Sequence, residues 1–362
     1  MLKKNKQFFI NNIFTSKSNV LKFLDKQITK SRIEKLYDFT IDEWKFQKKQ
    51  ILNNISKNFS SKIVVRSSAM GEDSILTSQA GAYKTILNIN PKSKKLVEIA
   101  VSEVISSYKK NQNINNSNQI LIQNQTMDVK SSGVLFTITP EIGSPYYVIN
   151  YEDGDSTTGV THGKINNSLK IFRKTKKLDI PKKWKLLINA IKEIETILGI
   201  TYLDIEFGIN KKDEIIIFQV RPITSISNDI PKNIELTIEK LLKNEKKKFH
   251  KLNFNKKSFG NKTIFSDMSD WNPSEIIGNN PNLLDYSLYD FLIMKNAWHK
   301  GRTFLNYYNV NPYPLMTKFG NKPYVDLRGS FSSLIPKQLN PKLRYKLLNY
   351  YLDKLKQFPF LH

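Results

Sequence analysis

The chain has 362 residues, 40% of them hydrophobic and 11% aromatic, enough to bury large cores and to divide into two or three domains. No stretch approaches the roughly 20 apolar residues of a membrane-spanning helix, the N-terminal MLKKNKQFFINNIFTSKSN lacks the continuous apolar core of a secretory signal, and the absence of cysteine excludes disulfides and thiolate metal sites, so the expected location is the cytoplasm. A formal net charge of +25 invites a nucleic-acid reading, but 50 of the 57 basic residues are lysines scattered among Asn and Ile, a bias spread over the whole chain; no specific nucleic acid and no membrane is expected as a partner.

In chain order, residues 20–52 read as mainly helical, with Leu21, Leu24 and Leu36 among the apolar positions. A core strand is expected over 62–66. Residues 96–108 place Val97, Val101, Val104, Ile105 and Tyr108 at helical spacing, and 111–118 is a polar loop. Strands are predicted at 120–123, 133–137, 147–151 and 169–172, before a helix whose face is Leu187, Ile191, Ile194 and Leu198. Mixed strands and helices make the expected class α+β.

Two later segments form a hairpin. In 202–209, Asp204 and Glu206 share one face while Leu203, Ile205, Phe207 and Ile209 share the other. After a turn at 211–214 the chain returns, with Ile216, Phe218 and Val220 expected on one face and Gln219 and Arg221 on the opposite one. An antiparallel register setting Glu206 across from Gln219 gathers two carboxylates, an amide and a guanidinium on one surface. Two readings are open for that surface, a magnesium and phosphate site or a cross-strand salt bridge on a solvated sheet. The early segment VVRSSAMGEDSILTSQAGAYKTIL supplies a further guanidinium, Arg66, at a strand end, followed by Ser67, Ser68, Glu72, Asp73, the Thr77-Ser78 pair and Gly81. Donors in that order suit an anionic ligand such as a nucleotide phosphate.

That early segment resembles the first nucleotide-binding motif of the phosphoenolpyruvate synthase and pyruvate phosphate dikinase family. QNQTMDVKSSGVLFTITPEIGSPYYVINYEDGDSTTGVTHG resembles the family's strand, Ser-Gly turn and GVLFT preceding a second glycine-rich loop, and YLDIEFGINKKDEIIIFQVRPIT its closing hairpin with DIE and QxRP signatures. The resemblance implies an ATP-grasp module that binds ATP and Mg2+. Carried over by motif, Glu206 and Gln219 are expected at the metal and nucleotide, Arg66 and Arg221 at the phosphates as catalytic groups, Gly81 and Thr85 beneath the phosphates, and Gln123 as a contact from the central strand. The family's phosphate-contacting lysine sits in a GGKG context absent here; Lys17 in TSKSNVL is its substitute.

The expected organisation is a nucleotide-binding domain over 1–228, a helix and linker over 229–262 with its helical pattern over 229–251, and a mixed, mainly helical family-specific region over 263–362. In the last, Asn340-Pro341 caps a helix with the stripe Leu343, Leu347, Leu348, Tyr351, Leu352 and Leu355. Asp270, Asn272, Glu275 and Arg328 are either site residues or caps and turns. The four histidines, His162, His250, His299 and His362, lie outside any TPGGxxSH-like context, so His162 is expected to serve a loop. The resemblance implies an ATP-dependent kinase module, the N-terminal part of a larger enzyme, that passes a phosphoryl group to a histidine on a separate segment or chain carrying the phosphohistidine and pyruvate domains. The alternatives are a phosphotransferase half acting on a small molecule such as an antibiotic, and a non-catalytic nucleotide-binding protein.

Overall fold

The computed structural model describes residues 13–69, 84–110, 115–140, 142–154, 167–224, 233–253, 260–267 and 271–358. The chain forms two compact units, Met1–Ile234 and Glu235–His362. The first unit holds two antiparallel sheets with their helices, so the α+β class is borne out.

The first sheet has the order β1-β4-β2-β3, formed by β1 (Leu36–Thr40), β2 (Ile63–Ser68), β3 (Thr85–Ile89) and β4 (Gln119–Asn124). Two helices, α2 (Ile41–Asn58) and α3 (Lys94–Lys110), cover one of its faces. Alternation along the strands sends Ile63, Val65, Ile120 and Ile122 into the core with Ile55, Val97, Val101, Val104 and Tyr108. The second sheet has the order β7-β6-β5-β8-β9, from β5 (Val129–Phe136), β6 (Tyr146–Asp153), β7 (Asn167–Phe172), β8 (Leu203–Asn210) and β9 (Ile215–Pro222). It packs with α1 (Lys17–Asp25) and α4 (Lys182–Leu198), where Leu187, Ile191, Ile194 and Leu198 meet Ile205, Phe207, Ile217 and Val220. Leu121 of β4 belongs to this second core, while its neighbours Ile120 and Ile122 belong to the first. The two cores therefore lie on opposite sides of one strand.

Four local expectations are corrected. Residues 20–52, expected to be mainly helical, are helical at both ends but hold a strand between: α1 ends at Asp25, and 36–40 pair with β4 before α2 begins. The restart is a capping box, in which Thr40 Oγ1 accepts from the Glu43 N–H at 3.1 Å and Glu43 Oε2 accepts from the Thr40 N–H at 2.7 Å. Ser132-Gly133 is not a turn but the middle of β5, opposite Glu152 and Tyr151. Ile216, Phe218 and Val220 do not share a face. A bulge between Glu206 and Phe207 pairs Phe207 with Ile217 and Glu206 with Gln219, so Phe218 is the extra residue; Ile215, Ile217 and Val220 enter the core instead. In the C-terminal helix only Leu348, Leu352 and Leu355 of the expected stripe are buried, with Leu343 and Tyr351 exposed.

The second unit contains α5 (Ile234–Asn253), a small sheet of order β10-β12-β11 (Phe265–Ser266, Lys322–Asp326, Met316–Phe319), the short helices α6 (Pro273–Ile276) and α7 (Leu283–Tyr289), a π-helical stretch over 290–297, then α8 (Trp298–Phe304), α9 (Leu327–Ser332) and α10 (Pro341–Gln357). The strands were absent from the sequence expectation. The cap was not: Asn340 Oδ1 accepts from the Leu343 N–H at 2.8 Å.

Gly133 shows why β5 tolerates no side chain at its centre. A Cβ there would stand 2.2 Å from the Asn150 carbonyl oxygen of the neighbouring strand, and that oxygen is held in the ladder. We expect Gly133→Ala to destabilise the protein by about 1–3 kcal/mol through forced strand displacement. Urea unfolding followed by circular dichroism measures this, and a midpoint equal to that of the parent chain would contradict the close approach.

Candidate functional site

The site is built from the strand faces that do not enter the first core. On β2, Ile63 and Val65 are core residues, which turns Arg66 and Ser68 to the other side. On β4 the same alternation turns Gln119, Leu121 and Gln123 away from Ile120 and Ile122. Gln123 stands opposite Val64, and Arg66 opposite Leu121 and Thr85. A guanidinium on this side of the first sheet meets polar groups of the second.

Arg66 makes that connection with three acceptors. Its Nη1 donates to the Phe218 carbonyl at 3.0 Å and, more weakly, to Gln123 Oε1 at 3.5 Å, and its Nη2 lies 3.3 Å from Glu206 Oε2. The Phe218 carbonyl belongs to the bulged residue of β9, where the extra residue leaves its backbone groups outside regular ladder pairing. A planar donor fork serves a carbonyl and a carboxylate from two nitrogens held in one plane, a geometry that a single ammonium does not reproduce. Sequence reading missed the Phe218 carbonyl. No residue type signals a bulge inside IIIFQV.

The expected hairpin register is borne out: Glu206 pairs with Gln219, and Asp204 with Arg221. Arg221 Nε and Nη2 both approach Asp204 Oδ2 at 2.7 Å, and this pair is largely shielded from solvent. Gln123 and Gln219 are buried. Lys17 is buried too, as the first residue of α1, a helix that packs against β9. Thr85 is exposed on β3, directly across from Arg66. Gly81, together with Glu72, Asp73, Thr77, Ser78 and His162, lies outside the described residues.

In the second unit, Asn272 caps α6 by accepting from the Ser274 N–H at 2.9 Å. Arg328 is buried in an ion pair with Asp326 at 2.7 Å, and Tyr313 donates to the same carboxylate at 2.6 Å. Both residues therefore hold local structure. Glu275 is exposed, and Asp270 lies outside the described residues.

The donor set suits a hard cation only in company. Among the described residues no group of three or more His, Asp or Glu side chains is arranged to hold a metal ion. Glu206 and Gln219, adjacent across the β8–β9 ladder, supply one carboxylate and one amide oxygen. Magnesium commonly takes one or two protein oxygens and completes its shell with phosphate oxygens and water, and this pair fits that habit.

Losing the Arg66 fork leaves the Glu206 carboxylate and the Phe218 carbonyl without their shared donor. We expect both Arg66→Ala and Arg66→Lys to lower stability by about 1–3 kcal/mol, with Lys failing to rescue because one ammonium does not reproduce the fork. Urea unfolding of the full chain reads this out. A lysine variant as stable as the parent would show that charge alone suffices.

Residues 47–183, 137 of the 362, match the family model described as pyruvate phosphate dikinase, AMP/ATP-binding domain. No curated protein matches the chain. Among solved structures, D-alanyl-alanine synthetase A from Vibrio cholerae aligns at TM-score 0.36 and 13% identity, covering 60% of this chain and 57% of that one. D-Alanine-D-Alanine ligase from Helicobacter pylori aligns at 0.34 and 11%, covering 63% and 57%. PH1788 from Pyrococcus horikoshii aligns at 0.38 and 14%, covering 61% and 98%. The alignment thus spans little more than half the length of the Vibrio and Helicobacter chains. The family match, and not these distant likenesses, carries the assignment. Arg66, Thr85 and Gln123 fall inside the matched segment, Glu206, Gln219, Arg221 and Lys17 outside it, and the Arg66–Glu206 contact joins the two groups. Over residues 47–183 the chain is thus similar to the AMP/ATP-binding domain of pyruvate phosphate dikinase.

Proposed function

We propose that the first unit binds ATP with Mg2+ in the space between its two sheets and activates the terminal phosphates for transfer. The observation that carries this reading is the Arg66–Glu206 contact, which brings the strand-end arginine of the family-matched segment to the acidic hairpin. Arg66 and Arg221 present planar forks suited to phosphate oxygens. In the proposed complex they bind and orient the phosphates and stabilise charge spreading over the transferring group. Asp204 holds the Arg221 plane, and Gln123 and the Phe218 carbonyl hold that of Arg66. Such preorganisation lowers the cost of placing the forks when the nucleotide arrives. Glu206 and Gln219 would hold Mg2+, which when bound neutralises phosphate charge. Lys17, Thr85 and Gly81 are proposed at the phosphates from the motif.

The proposed activity is that of an ATP-dependent phosphotransferase of the dikinase type, whose acceptor is a histidine on another domain or chain. The histidine of Met1–Ile234, His162, lies outside any TPGGxxSH-like context, which favours an acceptor brought from elsewhere. His299, in the second unit, is buried and held below its usual pKa by that burial, a poor setting for receiving a phosphoryl group.

Isothermal titration of the full chain with ATP and MgCl2 tests the reading. Binding is expected, weakened at least about tenfold in Glu206→Ala and in Arg221→Ala, with circular dichroism reporting an intact fold. Chelation of Mg2+ is expected to weaken the parent chain more than Glu206→Ala. Affinity unchanged in both variants would remove the hairpin from the site.

A further inference from the structure

Lys17 lies between two buried serines, and the residues around them form a closed polar clamp. Ser16 caps α1, accepting from the Asn19 N–H at 3.3 Å, and donates its hydroxyl to Gln119 Oε1 at 2.6 Å. The Ser18 N–H, one of the first-turn donors that a helix leaves without an internal partner, donates to Ser68 Oγ at 2.9 Å. Ser18 Oγ donates to Asp38 Oδ2 at 2.6 Å, and Asp38 also pairs with Lys22. Ser68 is itself fixed twice: its N–H donates to the Tyr108 hydroxyl at 2.8 Å, and its own hydroxyl faces Gln119 Oε1 at 3.4 Å. Tyr108 closes the ring by donating to the Gln119 carbonyl at 2.6 Å. Ser16, Ser18, Ser68 and Tyr108 are all fully buried.

The clamp is therefore anchored on β1, β2, β4 and α3 and grips one turn of α1. Its placement follows from strand alternation: Ser68 is two residues beyond Arg66 on β2, and Gln119 is four before Gln123 on β4, so both share the face of the proposed phosphate groups. A lysine carries its charge on a flexible four-carbon stem and positions it accurately only if its backbone is fixed. Glycines at such a site would leave the backbone free, whereas Ser16 and Ser18 fasten it through side-chain and backbone hydrogen bonds.

We propose that Ser68 is a positioning residue, whose hydroxyl pins the first turn of α1 and thereby sets Lys17 beside the phosphate-binding face. The proposal rests on the nucleotide reading above, and it predicts two separable effects. In the nucleotide-free protein, Lys17 is buried and should react slowly with acetic anhydride; Ser68→Ala should raise its acetylation several-fold, as read by quantitative mass spectrometry. In ATP–Mg2+ titrations, Ser68→Ala should weaken binding about tenfold in the parent background and add nothing in a Lys17→Met background, because a residue acting through another is silent once that partner is gone. Ser68→Cys, close to serine in size but a weak hydrogen-bonding partner, serves where the alanine variant fails to fold. Equal losses of affinity in both backgrounds, or unchanged Lys17 acetylation, would overturn the proposal. A parent chain that binds no ATP while Ser68→Ala still exposes Lys17 would leave the Ser68–Lys17 linkage standing and sink the nucleotide reading alone.

Discussion

The Arg66 guanidinium is the interaction on which the proposed site depends. One side chain from the first sheet reaches a backbone carbonyl and a carboxylate of the second, separated from it by 152 and 140 residues of sequence. A contact between such distant segments carries a large chain-entropy cost before it forms, so the two cores must assemble around it. Leu121 does so from the apolar side, since β4 gives alternate residues to the two cores. Polar and apolar stitching thus meet on the same pair of strands.

The arginines of this lysine-rich chain are distributed by geometry. All seven are engaged: Arg32 with Glu34 and Glu214, Arg173 with Glu195 and the Thr137 carbonyl, Arg221 with Asp204, Arg328 with Asp326, Arg344 with the Lys337 and Leu339 carbonyls and the Tyr308 ring, Arg302 over Trp298, and Arg66 between the sheets. Many of the lysine ion pairs are solvent-exposed, as in Lys45–Asp42, Lys84–Glu103 and Lys130–Asp213. Exposed pairs contribute little stability. Planar, multi-donor contacts are where lysine does not substitute, and the sequence keeps arginine there. The charge of +25 is in this sense background, and the seven guanidinium groups are the specific part.

Alternation made the hairpin legible. Asp204 and Glu206 among Leu203, Ile205 and Phe207 define a two-sided strand, and the register followed from pairing it with its return. The bulge at Phe218 was not legible, because IIIFQV is apolar on both sides of the slip and strict alternation fitted it equally well. The strand 36–40 is hidden within the mainly helical pattern of 20–52 because its apolar spacing is compatible with either state; the Thr40–Glu43 capping box is the local signal that a new helix starts there. Ser132-Gly133 has turn composition, yet its glycine answers a close strand approach instead. Lys17 stands in for a lysine whose GGKG context is absent, so its placement at the phosphates rests on the resemblance alone. The clamp around it, drawn from four elements, leaves no local pattern, nor does the partnership of Arg66 with Glu206.

The central claim is that one ligand engages both sheets through the Arg66 junction. Hydrogen–deuterium exchange of the full chain, with and without ATP–Mg2+, tests it most directly. The account predicts that nucleotide slows exchange together in the β2 segment around Arg66 and in the β8–β9 hairpin, while the second unit is unchanged. Protection confined to one sheet, or absent from both, would contradict a site shared between them.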